Sequence, residues 1–256
     1  MDKGVRPFPT VSLYGVPFSK MNMKETVAFL TRAIEARRST RVITGNPIML
    51  MAGLENPDFH RALATADLVV PDGAGVVWAA SRLKQPVQER VAGFDLMHEL
   101  LQEGERKSWS VYLLGASADI IQTAHDNLKA KYPGVRFVGY RDGYFKDHED
   151  DAVVAAIREA SPDMLFVARS TLNQEPWIEK YAQELGVPVI MGVGGSFDVV
   201  AGKLKRAPAI FRKLSLEWFY RLLQEPSRYK RMLVLPRFAL KVIKDGEKVL
   251  KPIKPS

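Results

Sequence analysis

Val187-Pro188-Val189-Ile190-Met191, running directly into Gly192-Val193-Gly194-Gly195-Ser196-Phe197-Asp198, is a short apolar run that stops at a cluster of glycines. Such a run, rich in β-branched residues and bounded by turn formers, has the pattern of a buried strand. The pattern recurs upstream at residues 164–167, 135–138, 111–115, 68–70 and 41–44. Between the runs lie helical patterns. Residues 24–37 carry Val27, Leu30, Ala33 and Ile34 at helical spacing, and further segments cover 74–83, 94–103, 118–131, 149–159 and 175–185. Asn56-Pro57 adds a helix start, with the amide as N-cap and proline in the first turn. Strands alternating with helices predict an α/β fold, a mainly parallel sheet covered by helices, over residues 1–200. No internal repeat or low-complexity tract interrupts it.

In open α/β sheets ligands bind outside the carboxyl ends of the strands, so the residues just after each strand are the ones to inspect. Thr44-Gly45-Asn46-Pro47 offers a hydroxyl and an amide at a helix start. Pro71-Asp72-Gly73-Ala74-Gly75 places a carboxylate between a proline and glycines. After the last strand, Gly194 and Gly195 leave backbone N–H groups open to a phosphate or a sugar. Each stretch has a plainer reading: Asp-Gly is a common turn pair, and Thr44 or Asn46 can simply cap the next helix. Only convergence at one sheet edge favours a site.

The chain carries a net charge of +8, and the excess sits wholly at one end. Residues 201–256 hold 15 Lys and Arg against 4 Asp and Glu, whereas the preceding 200 residues hold 22 against 25. Ile210, Phe211, Leu214, Trp218 and Leu222 recur at roughly helical spacing, which predicts one amphipathic helix up to Glu225-Pro226. A second basic, amphipathic piece is expected over 231–244. A basic tail threaded with apolar residues suits an anionic membrane surface better than nucleic acid, because apolar burial and charge attraction add. The stripe can also pack on the domain. A cut after Glu225 is expected to spare the fold. No window reaches the roughly 18 apolar residues of a spanning helix, and the start of the chain has no apolar run of signal length, so a cytoplasmic, peripheral protein is expected. Apolar residues on the tail predict self-association away from the membrane.

The 256 residues contain no cysteine, which removes disulfides, thiolate metal sites and a cysteine nucleophile. His60, His98, His125 and His148 are scattered without metal-ligand spacing and are expected in exposed structural roles. Asp147, Glu149, Asp150 and Asp151 fall at a helix start, where negative charge favours the helix dipole. No G-x-S-x-G elbow, P-loop or dinucleotide fingerprint is present.

The ordered set of motifs resembles the WecG/TagA/CpsF family of bacterial glycosyltransferases. To the stretches above it adds Glu89-Arg90-Val91-Ala92-Gly93-Phe94-Asp95, Gln174-Glu175-Pro176-Trp177-Ile178, Gly202, Arg206-Ala207-Pro208, Leu216-Glu217-Trp218, Arg221, Glu225-Pro226 and Arg228. The resemblance implies a Rossmann-like domain of the GT-E kind with a basic amphipathic C-terminal appendage, which meets the membrane and helps complete the active site. It implies inverting transfer of N-acetylmannosamine from a UDP donor to polyprenyl-diphosphate-linked N-acetylglucosamine, without a metal or other cofactor, in making teichoic acid or a related surface glycan. Asp72 matches the general base, Thr44 and Asn46 match pocket residues, and Arg90 and Gln174 match further active-site positions. Tyr144 and Asp198 match positions near the nucleotide, and Arg221, Arg228 and Arg231 match arginines that reach over the site from the appendage.

The chain departs from the family at residues 168–173, where Arg169-Ser170-Thr171-Leu172 replaces a Gly- and Pro-containing turn before Gln174. The departure keeps two alternatives open beside the main reading: another UDP-sugar donor on the same scaffold, such as a mannosaminuronic acid or glucose donor, and a membrane-bound protein that has lost catalysis. Nucleic-acid binding stands as a third, although no motif supports it.

Overall fold

The structure, a computed structural model, describes residues 6–214 and 216–251; the first five residues, Ser215 and the last five residues of the basic tail lie outside the described residues. Among the described residues one eight-stranded sheet runs through the molecule. Its strands are β1 (Thr10–Leu13), β2 (Val16–Ser19), β3 (Thr40–Gly45), β4 (Leu68–Pro71), β5 (Ser110–Gly115), β6 (Arg136–Arg141), β7 (Met164–Ala168) and β8 (Val189–Gly192). They lie in the order β1-β2-β4-β3-β8-β7-β5-β6. Only β1 and β2 pair antiparallel; the other pairings are parallel.

The six parallel strands expected from the sequence are all present. The β1–β2 hairpin was not foreseen, because three prolines near the start mask its short runs. Its signal is Tyr14-Gly15, which takes φ of 51° and 80°, the backbone that a two-residue hairpin turn requires.

Thirteen α-helices accompany the sheet among the described residues: α1 (Met23–Glu35), α2 (Pro47–Glu55), α3 (Pro57–Ala64), α4 (Ala74–Arg82), α5 (Gly93–Lys107), α6 (Ala118–Lys131), α7 (Asp150–Ala160), α8 (Thr171–Leu185), α9 (Ser196–Val200), α10 (Ala209–Lys213), α11 (Glu217–Gln224), α12 (Tyr229–Met232) and α13 (Val234–Asp245). A parallel sheet must be covered on both faces, and the strand sequences show how. Val42, Leu68, Val70, Leu113, Phe166 and Met191 face one side, against Leu30 of α1, Leu100 of α5, Ile121 of α6 and Phe197 of α9. Their neighbours Ile43 and Val69 face the other, against Leu50 of α2, Phe59 of α3, Val76 of α4 and Phe238 of α13. Leu114, Leu165, Val167 and Ile190 continue that second face under α7 and α8.

Three readings need correction. The helix expected over 175–185 begins four residues earlier, at Thr171. The carbonyl of Ser170 accepts from Asn173 N and Gln174 N and closes a turn before Pro176. The single amphipathic helix expected across 210–222 is two, α10 and α11. Leu216 N bonds back to Phe211 O, and the Phe211 and Tyr220 rings meet at 5.2 Å, so the chain folds on itself there. Nor are the histidines generally exposed. His98 is half-buried against Phe94 and bonds Tyr132 Oη at 2.8 Å, while His60 bonds Tyr14 O at 2.8 Å.

The end of the chain enters the core. Phe238 and Val242 of α13, with Val249 beyond it, are buried among β1, β2, α2 and α4. Tyr14 N donates to Val249 O at 2.7 Å, and Tyr14 Oη donates to Asp245 at 3.0 Å. A cut after Glu225 would strip this face, so the expectation that it spares the fold is withdrawn.

Candidate active site

After β3 the chain turns into α2 on one face of the sheet, and after β8 into α9 on the other. Divergent connections between neighbouring parallel strands open a crevice at their carboxyl ends. A cleft of about 550 Å³ lies there. Thr44, Asn46, Asp72, Arg90 and Gly195 line it from the sheet side, and Arg206, Glu217, Arg221, Arg228 and Arg231 line it from the C-terminal segment.

Asp72 is set by the backbone on both sides. Asp72 N donates to Gly45 O at 2.8 Å, and Val91 N donates to Pro71 O at 3.1 Å, which brings the loop before α5 alongside. Gly93 N, at the first turn of α5, donates to Asp72 Oδ2 at 3.0 Å. A helix N-terminus favours a carboxylate, and Arg90 nearby does so too. Burial outweighs both, since it penalises the charged form, and Glu217 and Asp95 add repulsion; the carboxyl is pushed up from 3.8 to about 6. Asp72 is therefore mostly ionised at neutral pH and a stronger base than a solvated aspartate. Gly93 is required for this contact, because a β-carbon there would collide with Thr44 Cγ2 and crowd Asp72 Oδ2.

The other sheet-side residues have structural duties as well. Thr44 Oγ1 donates to Gly192 O at 3.3 Å and ties β3 to β8 at the cleft floor. Asn46 caps α2, its Oδ1 accepting from Ile48 N and Met49 N at 3.0 and 3.1 Å. The capping alternative is thus correct for Asn46, yet the residue also lines the cleft.

Two ion pairs fasten the C-terminal segment across the cleft. Arg90 meets Glu217 at the start of α11, and Arg206 meets Asp95. The Arg206 guanidinium also lies over the Phe94 ring, 4.7 Å from its centre. Behind them Arg221 packs against Gly195, where a β-carbon would displace its guanidinium. Arg221 and Arg228 share one carboxylate, Glu225, at 3.4 and 3.1 Å. Burial and then the neighbouring guanidinium of Arg228 hold Arg221 below its ordinary value, and the same causes with Arg221 added act on Arg231. Three guanidinium groups are thus gathered on the lining of one cleft, and a planar guanidinium suits phosphate or carboxylate oxygens.

Not every expected residue joins the cleft. Gln174 is 5% exposed and lies beneath β8, where its Oε1 accepts from Arg169 N at 3.2 Å and its Nε2 donates to Glu175 at 2.6 Å. A β-carbon at Gly192 would strike both Gln174 and Glu175, so this buried pair supports the floor from below. Gly194, with φ of +50°, turns the chain but does not line the cleft. Asp198 sits in α9 with Lys203 at 3.8 Å and acts on Arg221 through charge alone. Tyr144 is 83% exposed beyond β6 and outside the cleft lining. In the departing loop Arg169 stacks over Phe145, 4.2 Å from the ring centre. Asp150 is buried and accepts from Trp177 Nε1 and Tyr181 Oη, both at 2.9 Å, which is more than the dipole role expected of it. Glu217, Asp95 and Trp78 were not assigned roles from the sequence. The first two lay inside quoted motifs, whereas Trp78 carried no signal beyond its place on α4.

Among the described residues no group of three or more His, Cys, Asp or Glu side chains is gathered where a metal ion could sit, and no helix is long and apolar enough to cross a membrane. The fold and cleft together define an α/β protein with a carboxylate and several arginines lining one cleft at the carboxyl edge of its sheet. The sequence profile of the glycosyl transferase WecG/TagA/CpsF family matches residues 11–251, and the chain belongs to that family. A relative in Bacillus spizizenii is 38% identical over 87% of this chain and 86% of its own length. Others in Bacillus subtilis and Staphylococcus aureus are each 36% identical, over 92% and 94% of this chain and 92% and 95% of theirs. All three are named N-acetylglucosaminyldiphosphoundecaprenol N-acetyl-beta-D-mannosaminyltransferase.

Proposed function

We propose that this glycosyltransferase moves N-acetylmannosamine from UDP-N-acetylmannosamine to N-acetylglucosaminyl-diphosphoundecaprenol, with inversion, in wall teichoic acid or related surface-glycan synthesis. The observation that carries the reading is the gathering, in one cleft, of the half-buried Asp72 carboxylate with Arg221, Arg228 and Arg231. The acceptor hydroxyl oxygen attacks the anomeric carbon while its proton passes to Asp72. The bond from that carbon to the UDP oxygen breaks, and UDP leaves with the electron pair. A positioned base contributes roughly 10²–10⁴-fold, and fixed charges at the departing diphosphate lower the barrier further. The arginines, rather than a metal ion, supply that counter-charge. Arg90 and Arg206, paired with Glu217 and Asp95, line the same cleft. Gln174 supports the floor under Gly192, and Tyr144 and Asp198, outside the cleft lining, are given no part in the reaction.

The acceptor is a lipid, so the enzyme must work at a bilayer surface. The C-terminal segment suits an anionic membrane on the cytoplasmic side: Leu223, Leu233, Leu240 and Ile243 are exposed beside Lys230, Arg237, Lys241 and Lys244. The test is incubation with UDP-N-acetylmannosamine and the lipid acceptor, with the product isolated and its new linkage examined by NMR. A β-linked disaccharide lipid is expected. Transfer only from UDP-glucose or a uronic acid donor, or hydrolysis of the donor without transfer, would overturn the reading.

A further inference from the structure

The cleft lining is of two chemically different kinds. Besides the arginines, Ile48 of α2, Trp78 of α4, Met232 of α12, and Leu235 and Ala239 of α13 give the same cleft an apolar lining. Trp78 is 38% exposed there, although an indole of that size ordinarily contributes to a core or an interface.

Helix α13 shows where that surface leads. With successive residues about 100° apart, its sides can be followed in order around the axis. Phe238 and Val242 face the core. Leu235 and Ala239, next around the helix, face the cleft. Ile243 and then Leu240 follow and are 55% and 67% exposed. Arg237, Lys241 and Lys244 occupy the remaining side. The apolar stripe therefore runs unbroken from core to cleft to outer surface, without crossing the basic side.

We propose that this wall is a seat for the first isoprene units of the acceptor's polyprenyl chain, with Trp78 and Ala239 setting its shape. The inference rests on the lipid-linked acceptor of the proposed function. The occupant follows from connectivity: an acceptor whose sugar hydroxyl lies at Asp72 carries its lipid just beyond its own diphosphate, so the lipid has to leave through this cleft, and Trp78, Met232, Leu235 and Ala239 are apolar side chains that line it. An isoprenoid laid there passes over Trp78 and Ala239 and leaves along Ile243 and Leu240 toward the bilayer. A general membrane-adsorbing surface would need no apolar wall inside the cleft.

The test compares two acceptors that share the N-acetylglucosaminyl diphosphate but carry either undecaprenyl or a single isoprene unit, assayed in detergent so that membrane adsorption plays no part. Wild-type protein should show a lower KM for the longer acceptor. Trp78→Ala and Ala239→Trp, one emptying the seat and the other filling it, should each reduce the KM preference for the long chain by about tenfold, the effect of losing contact with a methylene or two. Trp78 is exposed enough that its replacement should leave the fold intact, and circular dichroism of both variants checks this. An unchanged ratio of the two KM values in folded variants would overturn the seat. Failure of the wild type to use either acceptor would instead overturn the proposed function.

Discussion

Replacing Asp72 by asparagine should make the protein more stable while removing most of its activity, and the gain should depend on pH in a way fixed by the site. The carboxyl rises from 3.8 to about 6 on folding, chiefly because it is buried. Each tenfold change in proton affinity corresponds to about 1.36 kcal/mol, so the ionised carboxylate weighs up to about 3 kcal/mol against the fold. The sign follows from which state binds the proton more tightly. Folded protein does, so the penalty is absent below pH 4, grows between pH 4 and 6, and is complete above that. Asparagine is neutral throughout and keeps an oxygen to accept from Gly93 N. Urea unfolding of both proteins from pH 4 to 8 should show no gap at the acid end and a gap of up to about 3 kcal/mol in favour of the variant at pH 8. Transfer at pH 8 should fall by roughly 10²–10⁴-fold. A variant no more stable than wild type at pH 8, or a gap that does not vary with pH, would refute the burial argument. Unchanged single-turnover rates would remove Asp72 as the base.

On the proposed reaction, the acid limb of kcat/KM is expected to report Asp72 in the free enzyme. Glu217→Gln, which removes a repelling carboxylate and frees Arg90, should therefore move the limb to lower pH, and Arg90→Gln should move it higher; shifts in the same direction would contradict this. Glu175, 2% exposed, is pushed up to about 7 by burial, so Glu175→Gln, which keeps an acceptor for Gln174, should raise stability by about 3 kcal/mol above pH 8 and leave it nearly unchanged below about pH 4 in urea titrations. Ending the chain after Glu225 removes buried Phe238, Val242 and Val249. At about 1.5–3 kcal/mol for each such side chain, the loss rivals the whole stability of a domain, and calorimetry should find no cooperative transition near that of the intact protein. UDP at about a hundred times its Kd should stabilise the wild type by about 2.7 kcal/mol, and Arg221→Ala should lose most of that shift in a thermal melt.

The strands most legible in the sequence were those with both faces buried. Runs such as Val111 to Gly115 and Met164 to Val167 are apolar at every position because alternate side chains feed two different cores. The hairpin was hidden for the opposite reason: its strands are four residues long, and Pro17 sits in one of them. Arg90 was carried by the resemblance alone; Asp72, Thr44 and Asn46 were legible as cleft residues because each lies at or just after the carboxyl end of a strand. Gln174 was not, since its motif also lies after a strand but its side chain turns beneath the sheet, and only the pairing with Glu175 under Gly192 explains that. The amphipathic pattern of residues 210–222 is real as a pattern of exposure, with Ile210, Leu214 and Trp218 facing outward. The break between α10 and α11 left no mark in that periodicity.

The order of these elements along the chain constrains how the site can fail. Asp72 and Arg90 come with the sheet, but Arg221, Arg228 and Arg231 lie on a stretch of short helices held at both ends: by α9, whose Phe197 enters one core, and by α13, whose Phe238 and Val242 enter the other. Between those anchors the stretch touches the rest of the cleft mainly through charge, by Arg90 with Glu217 and Arg206 with Asp95. Damage at the anchors should remove fold and activity together. Damage at the ion pairs should spare the fold, because partly exposed pairs contribute little to stability, while letting the guanidiniums drift from the diphosphate of the proposed donor, where a displacement of 1 Å can cost about a hundredfold in rate. The arrangement thus separates the residues that keep the arginines folded from those that keep them aimed.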